Sequence, residues 1–246
     1  MVLRVGVASK TFTKEDISKV LEEVEKTGFN HLEVLLEGRH SLDNLSGNKD
    51  KIFGGPLELS FHEPIRNAKI DTLISDAEKI CRFANSVDVS TVTFHPLPAS
   101  KNKTATWKSL VTLFQSYSRI GEEYGVFVCV ENMPRGGFTC QDPGEVRSLL
   151  ETVASKNFGV ALDVGHANTT NVGIPTFIST LKPWIIFVHL HDNHGEGDPH
   201  LQLGKGNITF SKVLPLLGEK TLIIEARNLR EAEYSLEYLK NYLGVI

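Results

Sequence analysis

Six short apolar runs in the chain each end in a histidine, an aspartate or a glutamate. The runs are four or five residues long, rich in β-branched and aromatic side chains, and end at His62, His95, Glu131, Asp163, His189 and Glu225. Burying one such side chain without a partner costs several kcal/mol, so six in succession indicate that they are buried together. Strands that alternate with helices run parallel and deliver their last residues to one face. The sequence therefore predicts an α/β fold, a (β/α)₈ TIM barrel with its active site at that face.

The whole chain, residues 1–246, fits one barrel domain, since such a barrel takes about 250 residues. The predicted strands are Leu3–Ala8, His31–Leu35, Leu57–Phe61, Thr91–Phe94, Val126–Val130, Gly159–Leu162, Ile185–Val188 and Thr221–Ile224. The predicted helices are Lys14–Lys26, Ile70–Val87, Thr106–Tyr124, Pro143–Ala154, Ile174–Leu181, Phe210–Leu217 and Leu229–Tyr242. The segment Leu36–Pro56 has no convincing helical face. It is expected to be a long loop that replaces most of the second helix, with at most one short helix.

Composition favours an ordinary globular protein and gives no general attraction to nucleic acid or membrane. Hydrophobic residues make up 41% of the chain, charged residues 23%, and the net charge is −4. No apolar run approaches the ~18 residues of a spanning helix, and the N-terminus has the pattern of a strand rather than a signal peptide. The three cysteines show no CxxC spacing. We therefore expect a cytoplasmic protein without a membrane partner.

Two loop fragments extend the set of candidate metal ligands. DVGH places His166 three residues after a strand-end aspartate, and GDPH places Asp198 two residues before His200. Five histidines and four carboxylates are then predicted to converge. Carboxylates so close together would raise one another's pKa unless divalent cations lie between them. Nine ligands are enough for two or three ions, and mixed histidine and carboxylate sets suit zinc, manganese or iron.

Other polar residues near these motifs have simpler explanations. His40 and His194 are isolated loop histidines, which are more often solvated or structural than functional. We expect His191 to point away from His189, into the barrel wall or onto the surface. The GKG fragment at Gly204–Gly206 is a weak signal for a phosphate-binding loop, and a tight turn is the expected structure there.

Seven motifs spread over almost the whole chain carry a resemblance to a known family: SFHEPIRN, TFHPLP, VENMP, LDVGHAN, VHLHDN, GDPHLQLGKGNI and IIEAR. Together they resemble the xylose isomerase-like TIM barrels, also called AP endonuclease family 2. That superfamily includes sugar isomerases and epimerases, and endonuclease IV. The combination of motifs is specific to the superfamily rather than to one member.

The resemblance implies a role for each candidate ligand. In the isomerases and epimerases, residues matching Glu131, Asp163, His189 and Glu225 hold one divalent ion, and those matching Glu131 and Glu225 also move a proton at the sugar carbon. Endonuclease IV uses the same ring with further residues to hold three zinc ions, and the matching positions here are His62, His95, His166, Asp198 and His200. One to three ions per chain, of zinc or manganese, are therefore implied.

The loops favour a small substrate over DNA. Endonuclease IV reaches into DNA with extended loops bearing arginines and aromatics, whereas this chain is compact and has Ile65 where a DNA-stacking aromatic would be expected. The first hypothesis is an isomerase or epimerase for a sugar or sugar phosphate. Four basic residues near the mouth are expected to neutralise a substrate phosphate: Arg66, Arg135, Lys205 and Arg227.

Two alternatives remain open at this point. One is an endonuclease IV-like zinc phosphodiesterase, which would take DNA as its partner. The other is a barrel that binds a sugar or a metal without turnover, because a fold does not determine a function. Nothing in the sequence indicates an oligomeric state.

Overall fold

Eight parallel strands close into a barrel in chain order, and the first strand pairs with both the second and the last. The structure, a computed structural model, describes residues 4–243 apart from the side chains at positions 50, 51 and 243. The strands are β1 (Val5–Ala8), β2 (His31–Leu35), β3 (Glu58–His62), β4 (Thr91–Phe94), β5 (Phe127–Glu131), β6 (Phe158–Asp163), β7 (Ile185–Leu190) and β8 (Thr221–Ile224). The predicted TIM barrel is confirmed. Leu3, the expected first residue of β1, lies outside the described residues.

Helices surround the barrel and pack against its outer face. They are α1 (Ile17–Thr27), α2 (Leu42–Ser46), α3 (Lys49–Ile52), α4 (Ile70–Ser86), α5 (Lys103–Tyr124), α6 (Pro143–Val153), α7 (Val164–Thr169), α8 (Ile174–Leu181), α9 (Phe210–Leu217) and α10 (Leu229–Leu243). Within residues 4–243, the structure contains no helix with the length and apolar character needed to cross a membrane.

Two segments differ from the sequence expectation. The stretch expected to be loop with at most one short helix holds both α2 and α3, of five and four residues. Helix α7 was not expected at all, because its six residues are too few to show a periodic apolar face. It starts directly after β6, where the side chain of Asp163 caps it by accepting a hydrogen bond from the backbone N–H of His166 at 2.6 Å.

Side chains along the strands alternate between the barrel interior and the helix layer, as the two-residue period of a strand requires. A small cluster separate from the main core fills the interior below the mouth: Ala8, Cys129, Ala161, Phe187 and Ile223. Four of these five lie two residues before a predicted ligand, namely Glu131, Asp163, His189 or Glu225. The apolar floor and the polar mouth are therefore successive layers of the same inward-facing positions.

Close packing between β6 and β7 requires a glycine at position 159. A Cβ atom there would lie 2.7 Å from the carbonyl oxygen of Trp184 and 2.8 Å from the side chain of Ile186. We predict that Gly159→Ala lowers the free energy of unfolding by about 1–3 kcal/mol, because the backbone must shift to admit the methyl group. Urea unfolding measures this effect. Gly137→Ala is the control, since a Cβ there meets nothing within 4 Å, and equal midpoints for the two variants would contradict the prediction.

Candidate metal centre

The C-terminal ends of the strands surround one cavity of about 440 Å³. Seven of the nine predicted ligands line it: His62, His95, Glu131, His166, Asp198, His200 and Glu225. The other two, Asp163 and His189, are fully buried beside them. His189 Nδ1 lies 2.8 Å from Glu131 Oε1 and 3.9 Å from Asp163 Oδ2. All nine side chains thus lie in one cluster, and their role as ligands remains a prediction.

Glu131, the last residue of β5, contacts histidines from three other strands or strand ends. Its Oε1 accepts a hydrogen bond from His189, while its Oε2 lies 3.1 Å from His95 Nε2 and 3.6 Å from His62 Nε2. Burial alone would raise the pKa of this carboxyl, but the three imidazoles hold it well below its usual range. Glu131 is therefore an ionised carboxylate in a site that excludes most water.

Asp163, the last residue of β6, joins the cluster from the next strand. One of its oxygens caps α7, and the other, Oδ2, is buried without a hydrogen-bond partner among the described residues. Its ligand atoms belong to two groups of possible metal donors, one with Glu131 and His189 and one with His191 and Glu225. Within each group the donor atoms lie within 4.8 Å of one another. Asp163 therefore lies at the centre of the inner part of the site. Its donors are called the inner donors here: Glu131, Asp163, His189 and Glu225.

A second group of donors lies towards the open side of the cavity and is called the outer group here: His166, His191, Asp198 and His200. Asp198 Oδ2 lies 2.9 Å from His200 Nε2 and 3.5 Å from His166 Nε2. Burial lowers the pKa of His166, but the carboxylates of Asp163 and Asp198 outweigh it and raise the pKa to about 10. The carboxylates of the site thus favour a positive charge at this position. The charge is carried either by a proton on His166 or by a metal ion that displaces the proton.

Glu33 belongs to the site although the sequence analysis did not select it. It lies in the middle of β2, it is 1% exposed, and its Oε2 is 2.9 Å from His189 Nε2. These two atoms do not have hydrogen-bond geometry, and neither has another partner in the described part of the chain. Glu33, His62 and His189 form a further donor group. The available signal was a glutamate between two buried apolar residues of a strand, a position that charged side chains seldom occupy alone.

His191 also belongs to the site, so the expectation that it points away from His189 was wrong. Residues two positions apart on a strand share a face, and His191 is fully buried with its Nε2 3.2 Å from Asp163 Oδ1 and 3.4 Å from Asp198 Oδ1. Its ring lies against Gly165 of α7, where a Cβ atom would come within 2.1 Å of the imidazole. The glycine of the DVGH motif thus makes room for a histidine of the site.

The chemistry of these donors fits a divalent metal ion. Buried oxygen and nitrogen atoms without hydrogen-bond partners among residues 4–243 cluster here, including Glu33 Oε2, Asp163 Oδ2, His189 Nε2 and both ring nitrogens of His191. Polar atoms at this depth are normally satisfied, so their concentration in one place points to a missing partner of positive charge. Mixed imidazole and carboxylate donors match zinc or manganese better than calcium, which prefers oxygen. The clusters therefore indicate a metal site.

The loop that carries two of the outer donors, Asp198 and His200, is held by Asp192, which follows His191. The carboxylate of Asp192 accepts backbone hydrogen bonds from Gly204 at 3.0 Å and from Gly206 at 2.8 Å. A side chain at position 206 would collide with that carboxylate, since a Cβ there would lie 2.2 Å from Asp192 Oδ1. The GKG turn thus binds an internal carboxylate, and the result is to present Asp198 and His200 to the cavity.

The four basic residues predicted to bind substrate lie elsewhere on the surface. None is among the described residues that line the cavity: Arg66, Arg135, Lys205 and Arg227. Arg66 and Arg227 are ion-paired with Asp76 and Glu231, at 2.8 Å and 2.6 Å. Arg135 and Lys205 are exposed. Their part in substrate binding stays a prediction, and the cation that does line the cavity is Lys10.

Comparison with known proteins agrees with this geometry. The sequence profile described as xylose isomerase-like TIM barrel matches residues 8–242. The chain belongs to this family. The match begins at the last residue of β1 and includes strands β2 to β8. It also includes every candidate ligand of the site.

Two relatives each match most of the chain. The uncharacterized protein MJ1311 of Methanocaldococcus jannaschii is 30% identical, over 99% of this chain and 90% of that protein. The inosose isomerase of Halalkalibacterium halodurans is 23% identical, over 85% of this chain and 81% of that enzyme. Of these two relatives, the second carries an activity in its name.

Solved structures share the barrel closely. A D-tagatose 3-epimerase-like protein superposes with a TM-score of 0.86 at 28% identity, covering 99% of this chain and 98% of the other. The IOLI protein, solved with a zinc atom, superposes with a TM-score of 0.81 at 18% identity, covering 98% of both chains. At the lower identity the likeness concerns the fold. Sugar epimerases are thus among the structural neighbours of this family member.

We predict that divalent metal stabilises the protein. A ligand that binds only the folded state at 100 times its Kd adds about 2.7 kcal/mol, which for a chain of this size corresponds to a rise in Tm of about 5–10 °C. The measurement is a thermal melt of chelator-stripped protein with and without Zn²⁺ or Mn²⁺. The triple variant Glu131→Gln, Asp163→Asn, Glu225→Gln is the control and should lose most of the rise. An unchanged Tm in the unsubstituted protein would contradict the assignment.

Proposed function

We propose that the protein is a divalent-metal-dependent isomerase or epimerase that acts on a sugar or sugar phosphate by proton transfer. The observation that carries the proposal is the pair of buried carboxylates Glu131 and Glu225, on β5 and directly after β8. Each lies in a donor group that contains Asp163, and both line the cavity. Two carboxyl groups that approach one space from different strands suit acid–base chemistry at a carbon atom: one, as a carboxylate, removes a proton, and the other, once it has taken a proton from solvent, returns one on the opposite side.

The residues have the protonation that this chemistry needs. Burial opposes the ionisation of Glu225, but Lys10 and His200 hold its pKa well below the usual range, and Glu131 is held low by its imidazole neighbours. Either carboxylate can therefore accept a proton from carbon, and the group that returns a proton first takes it from solvent. A bound divalent ion would polarise the substrate carbonyl and the oxygen of the adjacent hydroxyl. This would acidify the hydrogen on the carbon that carries the hydroxyl. The apolar side of the mouth, formed by Met133, Pro134 and Phe138, limits the access of water.

The size of the cavity supports a small substrate. About 440 Å³ lies within the range of pockets that enclose one small molecule. The names of the relatives agree with this class, since one is an inosose isomerase and another a D-tagatose 3-epimerase-like protein.

We predict that the metal-loaded protein exchanges the hydrogen next to a sugar carbonyl with solvent deuterium. The assay is proton NMR in D₂O over a panel of ketoses, aldoses and their phosphates, with Mn²⁺, Co²⁺, Mg²⁺ or Zn²⁺ removed before the spectrum is recorded. Glu131→Gln and Glu225→Gln should each lower the exchange rate by at least about 100-fold, the usual contribution of an acid–base group. The control is Glu151→Gln, an exposed residue of α6 paired with Arg147, which should keep the rate.

The metal content of each variant is measured alongside the exchange rate, so that loss of the ion is separated from loss of the base. Absence of exchange with every sugar and every metal would overturn the proposal. Saturable sugar binding in that case would favour a barrel that binds without turnover.

A second candidate function is supported by one specific observation. Beyond the inner donors, the outer group and the group of His62, His95 and Glu131 could together hold further ions. Three adjacent cations suit the hydrolysis of a phosphodiester, because they bind the phosphate and stabilise the leaving oxygen. This arrangement favours an endonuclease IV-like phosphodiesterase with DNA as its substrate.

The two functions are separated by one assay on a DNA duplex that contains a single abasic site. The proposed isomerase should leave the duplex intact at low salt with added zinc, conditions that strengthen phosphate contacts. Strand incision that disappears in Glu131→Gln would move the assignment to the phosphodiesterase. Glu151→Gln again serves as the control for general damage to the protein.

A further inference from the structure

Lys10 is the one lysine or arginine among the described residues that line the cavity. It follows β1 in a short 3-10 turn, Ser9–Phe12. The residues on either side of Lys10 in this turn are anchored to the barrel by hydrogen bonds. Ser9 Oγ accepts a hydrogen bond from the Leu35 backbone N–H at 2.9 Å, and Thr11 Oγ1 donates to the Ala226 carbonyl at 3.0 Å. The backbone of Lys10 is therefore fixed at the mouth, with about one third of its side chain exposed.

The ammonium group of Lys10 lies at a donor atom of the outer group. Its Nζ is 3.1 Å from His200 Nε2 and 3.7 Å from Glu225 Oε2. The same ring nitrogen is 2.9 Å from Asp198 Oδ2. A metal ion bound to an imidazole nitrogen lies about 2.0–2.1 Å from it, along the lone pair. Lys10 and a divalent ion therefore compete for one nitrogen, and their like charges repel.

The charge of the surroundings favours the ammonium group. The ammonium group lies 3.7 Å from Glu225 Oε2, and the His200 nitrogen that it contacts is 2.9 Å from Asp198 Oδ2, so one positive charge balances part of the charge of these carboxylates without a metal ion. The group of His62, His95 and Glu131 differs in this respect, because within residues 4–243 Glu131 forms its ion pairs with histidines and not with a lysine. The outer group is thus the donor set that carries its own cation.

We propose that the Lys10 ammonium group is the resident cation of the outer group and that it keeps a divalent ion from binding there. The number of ions in the cavity is then set by a residue of the β1 loop and not by the number of histidine and carboxylate donors. This inference goes beyond the proposed reaction, because it concerns how many ions the cavity holds. His166, His191, Asp198 and His200 are then left to bind and orient the substrate.

The test counts metal ions in the purified protein. Each variant is loaded with zinc, desalted and analysed by mass spectrometry of the metal, and zinc affinity is measured by competition with a chromophoric chelator. We expect Lys10→Met and Lys10→Ala to hold one zinc ion more per chain than the unsubstituted protein. The zinc affinity of the outer group should be at least about 10-fold higher in these variants than in the unsubstituted protein. Lys10→Arg should keep the original count. Lys205→Met, an exposed lysine on a neighbouring loop, is the matched control and should also keep it.

Two further variants locate the added ion and cover the case in which Lys10 variants do not fold. His200→Ala alone should leave the zinc count of the protein unchanged, because no ion is bound there while Lys10 is present. His200→Ala combined with Lys10→Met should remove the added ion. A zinc count that falls in His200→Ala, or that stays the same in folded Lys10→Met, would overturn the inference. The deuterium exchange assay reports on the reaction separately, so the failure of one proposal does not hide the outcome of the other.

Discussion

The structure depends on the burial of negative charge at one end of the barrel. Four carboxylates of the site are each at most 5% exposed: Glu33, Glu131, Asp163 and Glu225. Apolar packing cannot compensate the free-energy cost of burying their charge. Six histidines surround them, and the direction of the pKa shifts shows that this negative field attracts positive charge. The burial of Glu131 and Glu225 is offset by their imidazole and ammonium neighbours to such an extent that both stay ionised. A divalent ion is the partner that this arrangement fits best.

The two halves of the site are supported in different ways. The inner donors stand on strands above a floor of small or apolar residues, so their positions follow from the barrel itself. Two of the outer donors, Asp198 and His200, lie on a loop, which is held by backbone hydrogen bonds to the Asp192 carboxylate instead of by strand pairing. His200 has a φ of 45°, in the left-handed region that a residue other than glycine rarely adopts. Backbone strain of this kind persists where the surrounding contacts hold it, and it is concentrated at functional sites.

Much of this could be predicted from the chain. The barrel and the meeting of six donors followed from strand-end residues, because parallel strands deliver their last side chains to one face. The other three donors followed from the DVGH and GDPH fragments. The regular crossover helices were also predictable, whereas α2, α3 and α7 are too short to leave a periodic signal. Charge and proximity to the motifs in sequence predicted four basic residues as substrate ligands. Arg66 instead pairs with Asp76, and Arg227 pairs with Glu231 four residues further along the chain.

By itself the sequence determined the closed parallel barrel and the kind of chemistry at its mouth, since both follow from periodicity and from the cost of burying charge. The tertiary structure alone decided that Glu33, His191 and Lys10 join the site. Glu33 is inside a strand rather than at its end, and His191 lies beyond the last residue of β7. Lys10 meets His200 only because β1 and β8 close the barrel and bring together residues 190 positions apart. Contacts of that range depend on closure in three dimensions, and local residue patterns carry no record of them.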